Sequence, residues 1–95
     1  MTETAKTPRP LRSEMTALER RAAHQLAHCT FLPASWPNRF ARDMAGIASG
    51  AGLITERQRA ALWSQVWNYR RQIRDRDLLV MAEAFHDLSL AATAT

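Results

Sequence analysis

At 95 residues the chain is long enough for one domain, and a chain of that size buries only about 60–65% of its unfolded surface, so a large enclosed active site is excluded. The 46% apolar fraction with few glycines and prolines points to a globular chain rather than a disordered one. A formal charge of +4 and a pI near 10.6 direct attention to polyanions and acidic protein surfaces.

The expected fold is all-α: a small bundle of three to four helices, with a flexible basic arm over 1–12, a single helical domain over 13–90 and a frayed tail over 91–95. Cys29 is the only cysteine, so no disulfide forms within the chain. No run of about 18 apolar residues suits a membrane span, and no apolar leader opens the chain. A cytoplasmic protein is expected, in the host cytoplasm if phage-encoded, with no membrane partner.

In chain order, MTETAKTPRPLR holds threonines, prolines and basic residues with little to bury. A helix is predicted from Ser13 or Glu14 to about Cys29, with Ser13 as N-cap or Thr16 and Glu19 as a capping box. Leu18, Ala22, Leu26 and Cys29 form its buried stripe, and its alanines let a neighbouring helix approach closely. Pro33 biases Leu32 away from helix and ends the segment. Ser35 then caps a second helix with Pro37 in its first turn, and Trp36, Phe40, Met44 and Ile47 make its core stripe, while Arg39, Arg42 and Asp43 face outward. Ser49-Gly50-Ala51-Gly52 breaks the chain, one glycine supplying a left-handed C-cap.

Thr55 to Arg76 is the stretch on which the rest is organised. Thr55 with Gln58 fits a capping box. Leu62, Val66, Tyr69 and Ile73 lie along one core seam. Rotated by roughly a quarter turn are Trp63 and Trp67 with Arg59, Arg70, Arg71 and Arg74. Gln58, Gln65 and Gln72 recur on the other flank, assigned first to solvent and second to a helix contact. Arg74-Asp75-Arg76-Asp77 reads as a turn with Asp77 capping a last helix, or as one solvated turn of a continuous helix. Leu78, Met81 or Ala82, Phe85 and Leu88 give the last stripe, with Glu83 and Asp87 outside it. Large side chains expected to carry stability are Trp36, Phe40, Met44, Leu62, Val66, Tyr69, Ile73, Leu78 and Phe85.

Catalytic and metal chemistry have no motif here. His24 and His28 are one turn apart, but Gln25 stands where a zinc protease has its glutamate, and a closed zinc site takes four ligands. Gly46, Gly50 and Gly52 lack the lysine and strand of a phosphate loop. No cofactor, metal site or catalytic residue is expected, and the protein is read as a non-enzyme.

The binding residues expected are Arg59, Trp63, Trp67, Arg70, Arg71 and Arg74, because nucleic-acid binders need cations for phosphates and flat rings for unpaired bases. Of the 13 basic residues Lys6 is the only lysine, which suits bidentate recognition; a GC-rich coding bias explains the same composition. The tryptophans also fit a packing role, closing the core against the first two helices with the arginines covering their edges.

Phe31-Leu32-Pro33, Ser35-Trp36, Arg39-Phe40, Leu53-Ile54-Thr55-Glu56-Arg57-Gln58, Leu62-Trp63, Val66-Trp67 and Tyr69-Arg70-Arg71-Gln72-Ile73 together resemble short phage and prophage proteins of GC-rich bacteria, over roughly residues 29 to 79. The resemblance implies a setting among phage replication functions or genes that disarm host defences, and carries over no catalytic residue. Three functions follow as expectations. The first is a non-catalytic phage-type accessory protein binding DNA or RNA. The second is an inhibitor or adaptor binding an acidic patch on a host protein, for example a nucleic-acid-handling defence complex such as CRISPR-Cas. The third is a self-associating homodimer, with the glutamine row and the alanine-rich first helix at its interface.

Overall fold

The computed structural model describes residues 11–94 of the chain, and the expected arm up to Pro10 lies outside them. The described chain is helical apart from a short two-stranded ribbon: β1 (Arg12–Glu14), α1 (Ala17–Ala27), α2 (Trp36–Ser49), β2 (Leu53–Thr55), α3 (Glu56–Asn68), a 3-10 turn (Arg70–Gln72) and α4 (Arg76–Ala94). The small all-α bundle is therefore the fold, with four α-helices among the described residues.

Each of the first three helices starts on a predicted cap. Glu19 N–H donates to Thr16 Oγ1 (3.1 Å) and Thr16 N–H to Glu19 Oε1 (2.9 Å), so the Thr16 box begins α1. Thr55 and Gln58 repeat that reciprocal pair at α3, at 3.1 and 2.9 Å, and Asn38 N–H donates to Ser35 Oγ at α2 (3.4 Å). Each such cap stabilises its helix by about 1 kcal/mol.

Ser13 and Glu14 are not helical. They lie in β1, which pairs antiparallel with β2 in the register Arg12↔Thr55, Ser13↔Ile54, Glu14↔Leu53. Met15 N–H extends the ribbon by donating to Gly52 O (2.7 Å). Arg12, assigned to the arm, is thus part of the fold. The ribbon escaped the sequence reading because three-residue strands carry no detectable alternation.

Gly50 caps α2 at φ −111°, and the left-handed glycine is Gly52 at φ +70°. A Cβ at Gly52 would strike the Arg20 guanidinium, whose Nη1 donates to Ala48 O (2.5 Å). Glycine is favoured there by the left-handed backbone.

Met15, Leu26, Met44, Ile54, Leu62, Trp63, Val66, Ile73 and Leu78 form the core with a set of alanines. Ala22 and Ala23 of α1 are fully buried, and α1 packs most extensively on α2. Of the expected large core residues, Phe40, Tyr69 and Phe85 are only half-buried and Trp36 is 51% exposed. In α4 the inward position is Ala82, whereas Met81 (45%) and Leu88 (71%) face out.

The central helix is shorter than predicted. It ends at Asn68, and Tyr69 N–H donates to Gln65 O (3.0 Å) before the chain enters the 3-10 turn. Ile73 reaches the core from extended backbone (φ −110°, ψ 127°), not from a helical seam. The connector is held from outside by Gln72, which bonds both Thr30 N–H (2.6 Å) and Thr30 O (3.1 Å). The predicted turn before α4 is present, but Asp75 caps it, with Leu78 N–H on its Oδ1 at 3.4 Å. At the far end α4 runs to Ala94, through most of the tail expected to fray.

Candidate functional site

Two tryptophan–arginine clusters stand along α3 and the 3-10 turn that follows it, one closed and one open. In the closed cluster Glu19, 3% exposed, accepts from Arg59 Nε (2.7 Å) and from the Trp63 indole N–H (3.3 Å) on the same Oε2. Arg59 also reaches Glu56 Oε1 (3.0 Å) and Glu14 O (3.1 Å). Burial pulls the Arg59 guanidinium down, and the bonds and charges of Glu19 and Glu56 outweigh it, leaving it above its ordinary range. Trp63 itself is 3% exposed.

These contacts remove Arg59 and Trp63 from the expected binding face. The guanidinium is neutralised within the fold and the indole is core. Sequence reasoning treated Glu19 only as a capping residue, because its second oxygen meets partners 40 and 44 positions away. The legible signal was the capping box, which places the carboxylate at the start of α1.

The open cluster lies one turn further along α3. Trp67 is half-buried, stacked on His86 of α4 with centroids 4.4 Å apart at 17°. Arg70 Cζ sits 4.1 Å from the Trp67 ring centroid, and its Nη1 donates to Trp67 O (2.8 Å). An exposed cation over an indole in this way contributes about 0.5–1 kcal/mol. Trp67 and Arg70, with Arg76, Leu79, Val80 and Glu83 of α4, line a surface groove of about 380 Å³. That is the low end of ligand-pocket sizes and suits one base or one side chain.

Arg71 and Arg74 are exposed on the connector, beside the groove in sequence but not lining it. Arg76, absent from the sequence-based set, does line it. Among the described residues only Arg21 and Arg59 make ion pairs. The side chains of Arg71, Arg74 and Arg76 have no bonded partner among the described residues, and Arg70 has only its own helix end and Trp67.

Arg21 closes a separate contact, donating to Asp75 Oδ2 from Nε (3.1 Å) and Nη2 (2.5 Å), with Asp77 at 3.5 Å. The Arg21 hydrogen bonds hold the Asp75 carboxyl below its usual range against partial desolvation. This contact ties α1 to the start of α4.

The glutamine row does not face solvent as a set. Gln58 is in its cap and Gln72 binds Thr30, while Gln65 Oε1 is buried without a partner. Ala22 and Ala23 of the alanine-rich first helix are buried inside the chain. His28 Nδ1 lies 2.8 Å from His24 O, so that nitrogen is the donor. Among the described residues no group of three or more His, Cys, Asp or Glu side chains converges as a metal set would. Burial raises the half-buried Cys29 thiol, away from the reactive range. Among the described residues no helix is long and apolar enough to cross a membrane.

Fold and site define a small helical protein carrying an open cationic and aromatic groove between α3 and α4. Comparison with protein families, with curated proteins and with solved structures returned no match.

Proposed function

We propose that the protein acts by binding nucleic acid rather than by catalysis, as an accessory module of the phage type that its sequence resembles. The supporting observation is the Trp67–Arg70–Arg76 groove, flanked by exposed Arg71 and Arg74, with no carboxylate pairing any of these cations among the described residues. Guanidinium groups left free in this way bind phosphates and displace their counterions. Gel-shift titration at two salt concentrations tests the reading. Binding should fall steeply with salt, and Arg70→Ala with Arg71→Ala should weaken it and lower the salt slope by about one per lost phosphate contact. No binding at low salt overturns it.

A second reading is favoured by the groove's apolar floor, Leu79 and the 59%-exposed Val80. An acidic segment of a host protein with one apolar anchor, as on a nucleic-acid-handling defence complex, would fit the same lining. A host factor that stays bound after nuclease treatment and is lost in Val80→Asp supports this reading; retention in that variant counts against it.

A further inference from the structure

We propose that the stacked pair Trp36–Phe40 and the arginines on either side form a second surface, which takes the unpaired bases and phosphates of a single-stranded nucleic acid. This rests on the nucleic-acid reading above and names the strand form.

Trp36 is 51% exposed, unusual for the side chain that offers the most area to a core. Its ring lies on Phe40 with centroids 4.9 Å apart at 13°, so the indole is held flat by a second ring. The pair is a ridge between two hollows that share Trp36, Phe40 and Asp43. One, of about 370 Å³, is bordered by Arg39 and Arg42. The other, of about 240 Å³ between α2 and α3, is bordered by Arg57 and Gln58. Cations therefore stand on both flanks of an exposed aromatic surface, against the single carboxylate of Asp43.

The charges are available. Arg42 and Arg57 have no bonded side-chain partner among the described residues. Arg39 uses only Nη1, which donates to Ala34 O (2.6 Å). That bond also fixes the reversal at Ala34, whose φ of +60° is left-handed, so Trp36 is presented from a pinned backbone at the first position of α2. No acidic residue lies in the first turn of α2.

This chemistry favours single strands over duplex. A base in a duplex has both faces covered by its neighbours, whereas an unpaired base can lie on an indole while its phosphates meet flanking guanidinium groups. Arg57 and Trp67 are about 15 Å apart along α3 and about 80° apart around it, at 1.5 Å per residue and 3.6 residues per turn, a span that a strand bending around the helix covers.

The test is fluorescence anisotropy with a labelled 16-nucleotide thymidine strand and a duplex of equal length. It compares the intact chain, Trp36→Ala, and the double variant Arg70→Ala/Arg71→Ala, with circular dichroism reporting folding. Trp36→Ala should weaken single-strand binding about 5- to 150-fold and leave duplex binding nearly unchanged. If Trp36→Ala binds the strand normally while the double arginine variant does not, the stacking surface falls and the nucleic-acid reading stands. If the intact chain binds neither probe, both fall, and a nuclease-resistant partner lost in Trp36→Ala would make the patch a protein interface instead. Should Trp36→Ala fail to fold, Trp36→Phe decides: loss of strand-induced indole quenching supports the proposal, and undiminished quenching overturns it.

Discussion

Trp63 with Arg59 within α3 and Trp67 with Arg70 at its end are the same pair of residue types, yet the first is closed and the second open. A buried carboxylate makes the difference. Glu19 joins Arg59 and the Trp63 indole from α1, whereas Arg70 meets only an aromatic face and a helix-end carbonyl. A cation beside a tryptophan is thus not a binding site until its counter-ion has been located. Where the acid is buried the cluster is structural, because separating its members would leave a charge without water or partner.

The largest test of this contrast is Arg59→Ala against Arg70→Ala. Removing Arg59 strands a buried carboxylate and should cost about 3 kcal/mol, the low end for a broken buried pair because the guanidinium is partly open. Removing Arg70 loses an exposed cation–π contact and should cost about 1 kcal/mol or less. Urea unfolding of both variants at neutral pH compares them directly, and equal losses would erase the distinction.

The tryptophans should divide likewise. Trp63→Ala empties a core position and should cost about 3 kcal/mol or more. Trp67→Ala removes a ring already partly in water and should cost roughly half that. Iodide quenching of the intact protein should reach Trp36 and Trp67 and spare Trp63, which single-tryptophan variants can resolve. A readily quenched Trp63 would contradict its burial.

Asp75 offers the subtlest comparison, since it closes Arg21 at the surface as Glu19 closes Arg59 in the interior. Its folded-state pKa lies below the unfolded value, chiefly through Arg21. The stability tied to it is therefore fully present above the ordinary carboxylate pKa of about 3.9 and is lost as pH falls through the lower folded value. Asp75→Asn keeps a capping side chain but removes the titration, so its thermal midpoint should fall less steeply below about pH 4. Parallel acid limbs would show that the ion pair contributes nothing.

Much of the architecture was legible in short-range pattern. The caps at Thr16, Ser35 and Thr55 and the turn before the last helix rest on interactions within one turn of chain, whereas the first helix ends at Ala27, well before the predicted stop at Pro33. The candidate site was legible in part. Trp67 and Arg70 do form a groove, but the groove's other wall is α4, and Arg76 enters it only because the chain turns back after Ile73. Trp36 was misplaced because its helical spacing with Phe40 and Met44 marks a stripe without saying how far the neighbouring helix covers it.

The sequence by itself determined a basic, mainly helical chain, where most helices begin, and a first list of residues able to bind an anion. Tertiary structure alone decided which arginines are free, which indoles face water, and that Arg12–Glu14 pairs with Leu53–Thr55. Helix caps and amphipathic stripes are set by neighbours a few residues away. The state of a charge or a ring is set by whatever distant segment packs beside it.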